Sequence, residues 1–336
     1  MTSAHLFTLS GSNASLFSNQ DAAFTLKSFE KSTSAFSASL TSIVPSLGVE
    51  PSSQRRAPQF CLEDTLSSMI LPIHSEIESG TSLEELEMHV TLYPEGLVLT
   101  DSKQRTPLHL ALYKGISKGC IDLLVQSARS TLQSKDVEGR TPLHLALFME
   151  SSLPILEILL NAYPEAANIP DSRGYLPLHY AIFKRLSAQT VQLLVNASPA
   201  SLLHRDSRAR LPLHHAIRHS SPMPILECLV TEETAACVDA SGQLALHRAV
   251  SRQAPTEVLC LLIEANLEGV ATVDRRGNLP LHYAAVDDAD VSVVELLCDA
   301  HAEGVSRANL KGSTPLDLAR FFQRKEMEEL LLEYDN

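Results

Sequence analysis

From about residue 61 onward the apolar positions fall into short stripes of helical period. Leu108, Ala111 and Leu112 stand at i, i+3 and i+4, the spacing that puts side chains on one buried face of a helix. About 13 residues on, a second stripe follows, as in Ile121, Leu124 and Val125 or in Leu156, Leu159 and Leu160. Each pair of stripes predicts two helices packed through one face apiece. The punctuation agrees. Pro107 and Pro142 stand where a first helix opens, a position at which the missing N–H costs nothing and the fixed φ suits the helix. Thr precedes that Pro in three units as an expected N-cap. Pro94, Pro164 and Pro199 stop the chain after a second stripe. Between units stands a turn with an acidic or amide residue and usually a Gly: Asp136 to Gly139, Asp171 to Gly174, Asp239 to Gly242, Asp274 to Gly277 and Asn309 to Gly312.

The pattern is periodic. Leu71-Pro72-Ile73-His74 returns as Thr106-Pro107-Leu108-His109, Thr141-Pro142-Leu143-His144, Leu176-Pro177-Leu178-His179 and Leu211-Pro212-Leu213-His214. It continues as Leu244-Ala245-Leu246-His247, Leu279-Pro280-Leu281-His282 and Thr314-Pro315-Leu316-Asp317. The last members lie 35, 35, 35, 35, 33, 35 and 35 residues apart. Leu replaces the Thr cap at Leu176, Leu211, Leu244 and Leu279, at an expected cost of about 0.5–2 kcal/mol each unless another group satisfies the free N–H. Ala245 also stands for Pro beyond a shortened loop, so Val230 to His247 is the expected weak point.

Two helices, an Asp-x-x-Gly turn and Thr-Pro-Leu-His form the pattern of the ankyrin repeat, and the chain resembles that family over about residues 61–336. The resemblance implies an all-α solenoid of about eight repeats, with short β-hairpin fingers, a concave face lined by the first helices, and degenerate N- and C-terminal caps. The family's usual period is 33. Alignment on the His and the second helix puts the two extra residues of most units between the helices. The resemblance also implies that the recurring His bonds the Thr hydroxyl and nearby backbone.

Composition separates the first 58 residues from the rest, because Ser and Thr dominate there and acidic residues are scarce. They read as a disordered tail, with an organelle presequence as the alternative and Phe7, Phe17, Phe24, Phe29 and Phe36 as possible docking anchors. No Lys or Arg precedes Lys27 and no apolar run approaches the roughly 20 residues of a membrane span, so the expected locale is cytoplasmic or nuclear, without membrane insertion. Cys61, Cys120, Cys228, Cys237, Cys260 and Cys298 show no paired ligand spacing and read as small hydrophobes in a reducing compartment. One His per repeat separates the imidazoles by a helix-packing distance of about 8–10 Å, whereas a zinc site needs its ligands about 2 Å from one ion. No metal, cofactor or catalytic residue is therefore expected. Nucleophile elbows, phosphate-binding Gly loops and Cys-x-x-Cys pairs are all missing from the sequence, which argues against an enzyme.

Residues that depart from the repeat carry the functional information. In similar proteins the partner-facing positions flank the turn Asp and end the first helix. Six such positions per unit make 42 over seven units, and Lys or Arg fills 15 of them: Lys103, Arg105, Lys114, Lys135, Arg140, Arg173, Lys184, Arg205, Arg208, Arg210, Arg218, Arg252, Arg275, Arg276 and Lys311. Only Glu138 and Asp287 are acidic, a net +13 within a chain of net charge -13, so the remainder carries -26. Tyr113, Phe148, Met149, Tyr175 and Phe183 share these positions, and aromatic residues beside Arg are the composition of interface hot spots. The expectation is a monomeric adaptor that binds an acidic protein or peptide, and not nucleic acid, given the chain's negative total. The alternatives are a merely solvated basic edge, or a regulatory or targeting subunit acting through the tail.

Overall fold

In the computed structural model of the protein, residues 72–335 are described. The tail assigned to residues 1–58, together with Cys61 and Leu71, lies outside the described residues. What is described is a row of helix pairs: α1 (Pro72–Ser79) and α2 (Leu83–Leu92), α3 (Pro107–Lys114) and α4 (Lys118–Ser127), α5 (Pro142–Phe148) and α6 (Leu153–Ala162), α7 (Pro177–Phe183) and α8 (Ala188–Ala197). The row continues with α9 (Pro212–Arg218), α10 (Met223–Leu229) and the short α11 (Glu232–Ala236), then α12 (Ala245–Ser251) and α13 (Thr256–Ala265). It ends with α14 (Pro280–Asp287) and α15 (Val291–Ala300), then α16 (Pro315–Phe321) and α17 (Lys325–Tyr334). Each first helix packs on the first helix of the next pair and on its own second helix, and one hydrophobic core runs unbroken from Ile73 to Leu331. Stability in such a row is a sum of repeat and nearest-neighbour terms.

The prolines expected to stop the chain do so by opening a 3-10 turn: Pro94, Pro164 and Pro199 each stand first in one. No strand occurs among the described residues. The fingers are turns alone, because a single residue separates the turn from the next N-cap: Arg140 between Gly139 and Thr141, for example. In each, the backbone N–H of the turn Asp or Asn donates to the carbonyl four residues ahead, as in Asp136 N–H to Arg140 O at 3.0 Å.

The 33-residue unit is short where the sequence puts its shortened loop, between Val230 and Asp239. The second helix starts nine residues after the recurring His in seven units, including the 33-residue one (His214 to Met223), and eight after Asp317 in the last. The 33-residue unit is short only beyond that point: α10 has 7 residues where α8 has 10, and α11 replaces the 3-10 turn. Most of the variable length therefore lies after the second helix, where the segment only has to span back to the next finger.

Leu at the N-cap keeps the backbone bond to the imidazole. In the Thr units the hydroxyl meets the imidazole, Thr106 Oγ1 to His109 Nδ1 at 2.9 Å. In the Leu units the backbone N–H still reaches Nδ1, at 3.1 Å for Leu176 and 3.0 Å for Leu279, and the Leu side chains are fully buried. One hydrogen bond is exchanged for apolar burial. In the last unit Thr314 and Asp317 form a reciprocal capping box (3.0 and 3.1 Å).

Candidate protein interface

The recurring His builds the platform for the fingers. Its Nδ1 accepts the N-cap N–H, which places the proton on Nε2, and Nε2 donates to a backbone carbonyl of the next repeat: Arg140 O for His109 (3.1 Å), Tyr175 O for His144 (3.0 Å), Gln243 O for His214 (3.2 Å) and Asn278 O for His247 (3.1 Å). Burial lowers these imidazoles, to about 4 for His109, His144 and His214, so each is the neutral bridge its hydrogen bonds require.

Each turn Asp is an organiser of a second kind. One carboxylate oxygen takes the backbone N–H groups two and four residues ahead, as in Asp136 Oδ1 with Glu138 and Arg140 (2.9 Å each). The other oxygen takes a side chain, and two positions share the task. Arg105 and Arg140 supply it from four residues ahead, with ion-pair distances of 2.6 and 2.7 Å. Tyr180 (2.8 Å), Arg248 and Tyr283 (2.6 Å) supply it from nine ahead, on the first helix. Where the helix position is apolar, at Leu110 and Leu145, the turn carries Arg. At Asp206 both act, Arg210 at 2.7 Å and His215 at 3.0 Å. Burial acts to raise the Asp206 carboxyl, and Arg210, two backbone N–H groups and His215 outweigh it and hold it far below the carboxylate range.

These bonds sort the sixteen residues expected on the face. Arg210 is buried and belongs to the Asp206 clamp. Arg105 and Arg140 are half-buried clamps as well, and Lys184 pairs with Glu150 at 3.2 Å. Tyr175 and Phe183 are half-buried and pack edge-to-face, centroids 5.2 Å apart. Tyr113, Lys114, Phe148, Met149, Arg173, Arg208, Arg218, Arg252, Arg275 and Arg276 are exposed. The seven cations among these ten make no ion pair or side-chain hydrogen bond among the described residues. The clamps also set the aromatic rings: Arg105 lies 5.4 Å over Tyr113, Arg140 5.7 Å and Lys184 4.6 Å over Phe148. Arg248, Tyr180, Tyr283 and His215 were not singled out from the sequence, though a polar residue directly after the His, in a helix otherwise buried there, is the signal.

Successive fingers are laced together by one backbone bond, for example Ser172 N–H to Glu138 O (3.1 Å) and Ala240 N–H to Arg208 O (3.0 Å). Among the described residues only the junction between the Asp171 and Asp206 turns lacks it. The same junction leaves His179 Nε2 buried without a partner, and His204 Nε2 bonds Gly174 O at 3.0 Å instead. A Cβ on Gly139 would stand 2.5 Å from Ser172 N, whereas one on Gly174 would meet nothing within 4 Å. The fingers part here. The junction expected to be weakest, Val230 to His247, keeps its lacing bond and its His bridge, and Thr231 and Thr234 cap α11 reciprocally (2.8 and 3.1 Å).

Among the described residues no helix is long and apolar enough to cross a membrane and no cluster of ligating side chains could hold a metal ion. Cys120 and Cys298 are buried and Cys228, Cys237 and Cys260 half-buried, all as free thiols.

A family model described as ankyrin repeats (3 copies) matches residues 83–171, 119–206, 178–270 and 246–336. Among solved structures the chain is similar to the ankyrin repeat domain of Bcl-3, described as a unique member of the IkappaB protein family, with 24% identity, a TM-score of 0.47, and coverage of 77% of this chain and 97% of that one. No curated protein matches significantly. The family model covers well over half of the sequence in overlapping windows that span the row of helix pairs described above: the chain belongs to the ankyrin-repeat family.

Proposed function

We propose that the chain is a monomeric adaptor of the cytoplasm or nucleus, without catalytic activity, that binds an extended acidic segment of a protein partner along its fingers and the ends of its first helices. One observation carries the reading. From the His109 repeat to the His282 repeat, the position four residues after the His runs Tyr113, Phe148, Phe183, Arg218, Ser251 and Val286. Its first half is aromatic and its centre cationic, with Arg173, Arg208, Arg252, Arg275 and Arg276 exposed nearby.

Repeats spaced about 8–10 Å apart match about three residues each of an extended peptide, which advances about 3.3 Å per residue. The partner that fits has apolar side chains for the ring ledge and acidic ones about three residues further along. The rings are stiff, with Tyr113 and Phe148 already held by cationic neighbours and Phe183 by Tyr175, so little order is lost on binding. Reversing Arg173, Arg208 and Arg276 together to Glu tests the reading. These three are exposed and unpaired, so the fold should stand while affinity for the acidic segment falls at least tenfold, and a chain lacking residues 1–58 should keep its partner. Loss of the partner on that deletion, with affinity unchanged in the triple variant, would hand the function to the tail.

A further inference from the structure

Between the ends of α9 and α12 lies a cavity of about 220 Å³ lined by Arg218, Gln243, Arg248, Ser251 and Arg252. Its lining is polar and includes no acidic side chain. Arg248 is committed to Asp239 through both Nε and Nη2. Arg218 and Arg252 are exposed and make no ion pair or side-chain hydrogen bond among the described residues, in contrast to Arg105, Arg140 and Arg210, each locked to its own turn Asp. Three guanidiniums against the one Asp239 carboxylate leave two positive charges at the cavity. Further cations stand close by. His219, half-buried beside the cavity, is lowered first by burial and then by Arg218, Arg185, Arg252 and Arg210.

We propose that this cavity is a subsite for a phosphorylated side chain of the partner. The inference rests on the proposed peptide-binding function and narrows it to phosphoserine or phosphothreonine at one position. A phosphomonoester carries about -1.5 to -2 charges and three acceptor oxygens, which matches the two uncompensated charges. Guanidinium forks suit such oxygens better than a point charge does. A carboxylate offers one charge and would leave the second cation unanswered. The Ser251 hydroxyl and the Gln243 side chain line the same cavity and supply neutral polar groups, although the Gln243 amide already donates to Tyr283 (2.6 Å). The cavity lies one repeat past Phe183, so the phosphorylated residue falls about three residues beyond an apolar anchor. A nucleic acid backbone would want a continuous track of phosphate sites, whereas the units before this one present rings at the corresponding position.

The test is a titration of the ¹⁵N-labelled full chain with O-phospho-L-serine at low ionic strength, following the arginine Nε–Hε resonances. The Arg218, Arg248 and Arg252 signals should move together and saturate at a concentration at least tenfold below that needed with L-aspartate. The R218Q/R252Q variant should lose the response by tenfold or more, and K118Q/R129Q, at exposed sites outside the finger positions, should keep it. Both altered pairs are exposed and unpaired, and an unchanged melting curve confirms that the fold is retained. Equal potency of L-aspartate, persistence of the response in R218Q/R252Q, or an oligonucleotide acting at lower concentration than O-phospho-L-serine would overturn the assignment. Because Arg173, Arg208 and Arg276 lie outside the cavity, failure here leaves their charge-reversal test of peptide binding intact.

Discussion

The turn aspartate shows how one buried group can be served from two places in the sequence. Asp136 is 4% exposed and its ionised carboxylate needs a partner at Oδ2. Removing that partner leaves a buried charge, at a cost of about 3 kcal/mol. Arg140→Gln should therefore destabilise the chain by about that much in urea unfolding, whereas Arg173→Gln, exposed and unpaired, should stay within about 0.5 kcal/mol. Moving the partner should rescue it: Arg140→Gln with Leu145→Arg reproduces the Gln243 and Arg248 arrangement around Asp239 and should recover most of the loss. A double variant no more stable than Arg140→Gln alone would refute the exchange between the two positions. The Asp-x-x-Gly turn itself was legible in the sequence. Which cations it consumes was not, because Arg four residues past an Asp looks like any exposed finger cation until the turn's hydrogen bonds fix where the side chain points.

Among elements, the helix pairs and the starts of the first helices were legible, since Pro at N1 and the i, i+3, i+4 stripes are local signals. The contacts between repeats were not, because they depend on how closely two turns approach. Val230 to His247 departs from the repeat in sequence and yet keeps its lacing, while the junction after Gly174, whose next turn has Ala209 at positive φ in the Gly position, loses it. Gly139 and Gly174 discriminate. Both hold positive φ (75° and 80°), so alanine at either incurs the left-handed penalty of about 1–2 kcal/mol. At Gly139 the new Cβ would also press on Ser172 N at 2.5 Å. Gly139→Ala should thus cost clearly more than Gly174→Ala in thermal or urea unfolding, and equal costs would mean that the fingers at the two junctions are equally close.

At the scale of the whole molecule, the His bridges make stability a function of pH. His109, His144, His214 and His215 are lowered to about 4 and His179 to about 3, each first by burial, from an ordinary value of 6.5. The unfolded chain therefore binds protons that the folded one refuses as pH falls below 6.5, and stability declines toward pH 4. Above 6.5 this contribution is complete and level. The lowered turn carboxylates add their own loss only below their ordinary value of 3.8. Melting temperature should be flat from pH 7 to 8 and fall steadily from 6.5 to 4.5, with several protons taken up on unfolding, and a level profile across that window would contradict neutral, buried bridges.

The same scale holds the functional claim, for a stripe of unpaired cations on an acidic molecule should act through a long-range field as well as through contacts. Its most direct test is the rate at which the partner segment associates, measured across ionic strength for the native chain, for R173E/R208E/R276E, and for K118E/R129E/K325E, which carries the same charge change at exposed sites outside the finger positions. Steered association is fast at low salt and slows as salt screens it over a Debye length of about 8–10 Å. The finger variant should associate at least tenfold more slowly at low salt and lose most of its salt dependence, while the other variant stays near native. Equal rates and equal salt slopes in all three chains would mean that the basic fingers are only a solvated edge.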